Sequence, residues 1–165
     1  DSRDDAKTFI YAWLLGAGDK KIGDIVGGTA QVGRAMKARF LDKIPALSKL
    51  KNRARVAANQ GYLKGFDGRL LPIKEEHYAL SAYLQGGESI IMKKALVMLT
   101  DRAKAIDYKL VAFVHDEWQF EVHPNQAEEL GQLAVQCIID AGVYFNLRCP
   151  LDGEYKVGSN WAETH

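Results

Sequence analysis

Apolar residues through the first part of the chain recur every three or four positions, the period of helices that turn one face to a core. The spacing predicts a first helix that runs to about Leu15, capped by Ser2 with Asp5 in its first turn and stopped at Gly16-Ala17-Gly18. A short helix over 20–26 ends at Gly27-Gly28. Thr29 caps a third helix to about Lys43, with Val32, Met36 and Phe40 on its apolar stripe. Pro45 opens a fourth that reaches about Asn59, with Leu47 and Leu50 inward.

The pattern then changes. Asp67-Gly68 between two apolar runs is a hairpin signal. A long helical pattern covers 75–105 with Gly86-Gly87 in its middle. Glycine costs a helix about 1 kcal/mol relative to alanine, so the pair marks a bend or a close approach of something else. In YKLVAFVHDEWQFEVHP the period becomes two. Leu110, Ala112 and Val114 alternate before His115-Asp116-Glu117, and Trp118, Phe120 and Val122 alternate after it, which predicts a β-hairpin presenting three polar residues at its turn. Pro124 and Asn125 start a helix to about Ala141, and a last strand is expected over 148–156. With no repeat, low-complexity tract or linker, the chain reads as one compact α+β unit whose front half protrudes.

Composition bounds the picture. The chain has 165 residues, 47% of them hydrophobic, enough for a real core. Its apolar runs are too short for a membrane span, and no signal-peptide pattern opens it. Cys137 and Cys149 read as reduced thiols of a cytosolic protein. Net charge is +1, unevenly placed: residues 1–65 hold 13 Lys and Arg against 6 Asp and Glu, and the remainder is net −6. A basic region beside an acidic one fits a polyanionic partner for the first, although charge alone allows a solvated face equally well.

Two constellations carry candidate chemistry. Arg3, Lys7 and Tyr11 are four residues apart and advance about 40° per step along one helix face. Two cations at the positive end of a helix dipole work against the helix, and a bound phosphate chain would offset that, with Arg as a bidentate donor and Lys as a point charge. Taken alone, the spacing also suits a solvated face. The acids of His115-Asp116-Glu117 are held on a firm hairpin, the kind of oxygen donor Mg2+ takes, although polar turns are common in themselves.

Together, and in this order, the motifs resemble the family A DNA polymerases, and look closest to the phage-replicase branch. That family's finger helix has the pattern R-x3-K-x3-[FY]-x3-Y-G, here Arg3, Lys7, Tyr11 and Leu15-Gly16. Its palm hairpin carries H-D-E, here His115-Asp116-Glu117. Also typical are the DGR of Asp67–Arg69, the LQG of Leu84–Gly86, and an ending of NW and a final His, here Asn160-Trp161 and His165.

The resemblance implies an α+β fold: helical fingers over about 1–60, and over about 61–165 a partial antiparallel palm sheet with the catalytic β-hairpin. It implies template-directed transfer of a nucleotide from dNTP to a primer 3′ end. Arg3 and Lys7 would hold the triphosphate, Lys7 would be the general acid toward pyrophosphate, and Tyr11 would pack beside the sugar and favour acceptance of dideoxynucleotides. Asp116 would be a metal ligand in a two-ion Mg2+ site, with Glu117 supporting that site and His115 touching the primer end. Gln85, Arg69, Ser81 and His165 would contact DNA or lie near it. Leu15 departs from the family tyrosine that positions the template base, and Ser81 and His77 stand where asparagine and arginine are usual.

The family's second palm aspartate, its thumb and its proofreading nuclease have no counterpart in this sequence. The chain is therefore expected to be a C-terminal piece, inactive alone, whose partners are primer-template DNA, dNTP and the remainder of the polymerase chain, in the cytoplasm of a bacterial or phage-infected cell. An uncovered hairpin edge would favour self-association into a dimer. The rival readings are a single-subunit RNA polymerase, which usually carries serine after H-D, and a non-catalytic nucleic-acid-binding module.

Overall fold

The computed structural model describes residues 3–164, so the predicted Ser2 cap and the expected role of His165 lie outside the described residues. The one compact unit expected from the sequence is corrected: the chain forms two, Asp1–Gly86 and Gly87–His165, and the division falls at the paired glycines.

The first unit opens with four helices: α1 (Arg3–Leu14), α2 (Asp19–Ile25), α3 (Ala30–Lys43) and α4 (Pro45–Ala58). The predicted stops hold for a physical reason. At the end of α1 the N–H of Gly16 donates to the Trp13 carbonyl (3.1 Å) and that of Ala17 to the Ala12 carbonyl (2.9 Å), with Gly16 at φ +85°. This Schellman closure satisfies carbonyls that the helix leaves unpaired and needs a left-handed residue at that position. Pro45 stands in the first turn of α4, where its missing N–H is harmless. Thr29 does precede α3, but its side chain makes no capping hydrogen bond.

Phe9, Trp13, Ile22 and Leu80 form the core of this helical layer, with Met36, Phe40, Leu47 and Leu50 packed against it. The Phe40 ring meets Phe9 and Trp13 edge-on, each at 5.3 Å between centroids. Val32, expected on the same stripe, is exposed instead. Its β-carbon lies where a side chain at Gly28 would stand, so it packs over the turn before α3 rather than into the core.

A hairpin of β1 (Tyr62–Lys64) and β2 (Leu70–Pro72) follows, turning at Asp67-Gly68 with Gly68 at φ +90°. After a 3-10 turn, Glu76–Tyr78, helix α5 (Ala79–Arg102) begins four residues later than the sequence pattern suggested and ends three earlier. The helix runs through Gly86, where a β-carbon would come within 2.8 Å of the Leu71 side chain. The glycine therefore makes room for β2, which is the close approach the pair foreshadowed.

In the second unit, β3 (Tyr108–Val114) and β4 (Glu117–Val122) form the expected hairpin, and α6 (Ala127–Tyr144) lies after it, nearly a turn longer than predicted. The core is Leu99, Ala103, Leu130, Cys137 and Ala141, against which Tyr108, Trp118, Phe120 and Val122 pack.

Two expectations are corrected here. The simple alternation of Leu110, Ala112 and Val114 fails because Val111 bulges between the Leu110–Phe120 and Ala112–Gln119 pairs. The extra residue shifts the pleat, so that Phe113 pairs with Trp118 on the face of Leu110. The second correction is the strand over 148–156. Among the described residues the sheets are two separate two-stranded ones, and this segment has no strand to pair with. It runs extended along α6 instead, with Leu151 over Gly142, Gly153 beside Ile138 and Val135, and Tyr155 over Gly131. A helix face rather than a neighbouring strand receives it. A short final helix, α7 (Trp161–Thr164), closes the described chain.

Candidate functional site

Helix α1 presents the cationic stripe as its spacing requires. Phe9 and Trp13 are buried on one side, while Arg3, Lys7 and Tyr11 are all exposed. Tyr11 keeps 56% of its surface open, and the Lys7 ammonium stands 5.9 Å from its ring centroid. Cation and aromatic therefore form a continuous strip, a surface able to meet a charged chain and a flat or sugar-like group one turn apart. Asp4 and Asp5 share the first turn and favour the helix that Arg3 and Lys7 oppose. Leu15 follows directly, half-exposed, in the closure after the helix. A β-carbon at Gly16 would lie 3.2 Å from the His77 carbonyl oxygen, so this end of the helix is fitted against the 3-10 turn of the same unit.

The remaining first-unit candidates differ in availability. Gln85 is exposed on α5, one residue before the glycine that Leu71 covers. Arg69 is half-exposed, with its Nε 2.7 Å from Asp67. Burial disfavours the Asp67 carboxylate, but the hydrogen bonds from the Arg69 backbone N–H and guanidinium outweigh it and hold the carboxyl below its ordinary 3.8. Ser81, expected at DNA, is only 7% exposed. It sits in the first turn of α5, where Ala79 and Leu80 are buried as well, so its hydroxyl does not offer an open contact. His77 is exposed, 3.4 Å from Glu75 and stacked on Tyr78.

In the second unit the turn is two residues, His115 and Asp116, because Val114 and Glu117 are already a paired couple. His115 has φ +55°, a left-handed conformation that a non-glycine residue adopts at a cost. This projects Asp116 at the tip, exposed, and starts β4 at Glu117. Along β4, Trp118, Phe120 and Val122 go to the core, so Glu117, Gln119 and Glu121 share the other face. The Gln119 amide donates to the Glu117 carboxylate. Glu121 faces Lys109 at 3.8 Å across the pair, both well exposed.

No group of three or more His, Cys, Asp and Glu residues able to hold a metal is present among the described residues. Asp116 and Glu117 nonetheless suit Mg2+ chemically. They are hard oxygen donors, Asp116 at the tip of the turn and Glu117 at the start of β4, and Mg2+ is commonly held by one or two carboxylates while phosphates and waters complete its shell. Gln119 carries no motif of its own. The one sequence signal that flags it is its place two residues past Glu117 on a strand.

Comparison with known proteins fixes the family. The model for DNA polymerase family A matches residues 1–163. The DNA-directed DNA polymerase of Escherichia phage Phieco32 is 40% identical over 174 residues, spanning 99% of this chain and 28% of that protein. That of Escherichia phage T7 is 35% identical over 191 residues, again 99% of this chain and 27% of the relative. Among solved structures, one described as the POL domain of Pol1 from M. smegmatis in complex with DNA primer-template and dNTP superposes with a TM-score of 0.71 at 23% identity, covering 84% of this chain and 27% of that one. This last likeness confirms the α+β fold, and the chain spans somewhat over a quarter of the length of these relatives. On the match across nearly its whole length, the chain belongs to DNA polymerase family A.

Proposed function

We propose that this chain supplies the nucleotide-gripping fingers and the acidic palm hairpin of a DNA polymerase that extends a primer 3′ end on a template. The observation that carries the reading is the open strip of Arg3, Lys7 and Tyr11 on α1, whose opposite side is anchored by Phe9 and Trp13. The relatives' names, DNA-directed DNA polymerase, favour DNA over RNA synthesis.

In this reading the primer 3′-oxygen attacks the α-phosphorus of the incoming dNTP, and the bond to the oxygen bridging toward the β-phosphate breaks. Arg3 and Lys7 hold the triphosphate, and Lys7 gives a proton to the departing pyrophosphate. Tyr11 packs beside the sugar. Asp116, helped by Glu117, would hold Mg2+. When bound there, the ion would neutralise phosphate charge and ease deprotonation of the 3′-hydroxyl. His115 would meet the primer end, and Gln85 would read minor-groove acceptors that every correct base pair presents. Arg69 would reach DNA by releasing Asp67.

The partners are primer-template DNA, dNTP and the remainder of the polymerase, which would pack on the exposed β3 residues Leu110, Val111 and Val114. The setting is the cytoplasm of a bacterial or infected cell. Among the described residues no helix is long and apolar enough to cross a membrane.

Primer extension with Mg2+ and four dNTPs tests the proposal. The complete polymerase should extend the primer and this chain alone should not. Robust synthesis by the isolated chain, or unchanged synthesis by a complete Lys7→Ala enzyme, would refute it.

A further inference from the structure

We infer that Gln119 is a positioning residue that holds the Glu117 carboxylate and fastens the C-terminal helical turn to the strand that bears it. The inference rests on the proposed role of Glu117 beside the metal-holding Asp116. Three observations lead to it. The Gln119 side-chain amide nitrogen donates to Glu117 Oε1. Its oxygen lies 3.3 Å from the Thr164 hydroxyl. The turn that carries Thr164 is itself locked, because Glu163 accepts from the Ser159 backbone N–H (2.7 Å), the Ser159 hydroxyl (3.0 Å) and the Asn160 amide (2.8 Å).

The chemistry gives this chain of contacts one direction. An ionised carboxylate can only accept, so the NH2 end of the Gln119 amide must face Glu117 and its oxygen must face Thr164. The Thr164 hydroxyl then donates, within reach of both Gln119 and the Trp161 carbonyl at 3.1 Å. Gln119 and Glu117 share a face because they are two apart on β4, while Trp118 and Phe120 on the other face fix the strand to the core. The Glu117 side chain stands at the start of β4, beside the exposed turn. A donor of fixed place confines it, in the way a supporting hydrogen bond preorganises a catalytic group. The same amide makes the turn Trp161–Thr164 part of the hairpin's architecture, although the two are separated by 45 residues in sequence.

The test uses the complete polymerase with Gln119→Leu, Thr164→Val and Glu117→Gln, and Glu121→Gln as a control on the same strand face. Rates give kcat and KM for dNTP, and hydrogen exchange reports the segment 159–164. Gln119→Leu should lower kcat about tenfold, the scale of one lost hydrogen bond to a charged group, with KM for dNTP within about twofold. In the Glu117→Gln background it should add little, because it acts through that carboxylate. Exchange over 159–164 should quicken in Gln119→Leu and in Thr164→Val, and the control should resemble wild type in both readouts. If Gln119→Leu fails to fold, the exchange result for Thr164→Val decides. Wild-type kcat with unchanged exchange, or losses that multiply in the double variant, would overturn the inference. If the complete wild-type chain extends no primer but the exchange pattern changes as stated, the proposed function falls while the link between Gln119 and the C-terminal turn stands.

Discussion

The cationic face of α1 and the acidic turn between β3 and β4 present charges of opposite sign on scaffolds of different kinds. On α1 the side chains ride a regular helix, and their alignment follows from the four-residue spacing once Phe9 and Trp13 are buried. At the hairpin, spacing explains little. Asp116 reaches the tip because the turn is held to two residues with His115 at φ +55°. The bulge at Val111 brings Phe113 opposite Trp118 on the face of Leu110. A helix tolerates drift by spreading it over turns, whereas a two-residue turn has nowhere to spread it. The difference teaches that a charged stripe on a helix can be written in spacing, whereas an acid at a two-residue turn has to be placed by packing.

Substitutions in the complete polymerase measure how unequal the two regions are. If Asp116 holds the cation as proposed, Asp116→Asn should reduce kcat the most, by about a thousandfold or more, since the amide keeps the shape and loses the charge. Lys7→Ala should cost about a hundredfold, the lower range for losing the general acid that the proposed function makes of it. Single-turnover incorporation checks both, and the reverse order would break the comparison, making the helix the dominant partner.

Deletion of Val111 sharpens it. The deletion restores a regular ladder and keeps the Leu110–Phe120 and Phe113–Trp118 pairs. Because Val111 is 63% exposed, stability should change by no more than about 1 kcal/mol. The twist that the bulge adds is lost, and incorporation should slow about tenfold through misplacement of Asp116. A deletion variant with full activity would show that the bulge does not aim the turn. Next in size is Tyr11→Phe, which should leave ordinary dNTP incorporation within about threefold while disfavouring dideoxynucleotides, as a competition assay would read.

The smallest effect concerns the support beneath the hairpin. The Arg102 guanidinium, with the Gln136 amide at 2.8 Å, holds the Asp140 carboxyl below its ordinary 3.8 and so ties α5 to α6. A depressed carboxyl stabilises the folded state above that ordinary value, and the contribution disappears as pH falls through the lower folded value. Denaturation midpoints of wild type and Asp140→Asn should therefore differ slightly at neutral pH and converge in acid below 3.8. An equal gap at both pH values would mean the ion pair contributes nothing.

Much of this molecule could be read from local pattern, and the failures are instructive. Helix stops at Gly16 and Gly27, the Pro45 start and the Asp67-Gly68 turn depend on backbone chemistry within a few residues, which composition reveals directly. Ser81 was legible as a polar residue on a helix but not as a buried one, because burial depends on which face α5 turns inward. The segment 148–156 was legible as extended, yet the local pattern cannot say whether a strand or a helix receives it. Here Gly131 and Gly142 open α6 to Tyr155 and Leu151.

The sequence by itself determined the family, the helical order of the first unit, and which side chains α1 and the hairpin could offer, since each rests on residues close together in the chain. Tertiary structure alone decided the Val111 bulge, the burial of Ser81, and the meeting of Gln119 with Thr164. Those depend on contacts between residues far apart in sequence, whose energies arise only when the core around Leu99 and Cys137 and the core around Phe9 and Trp13 have formed.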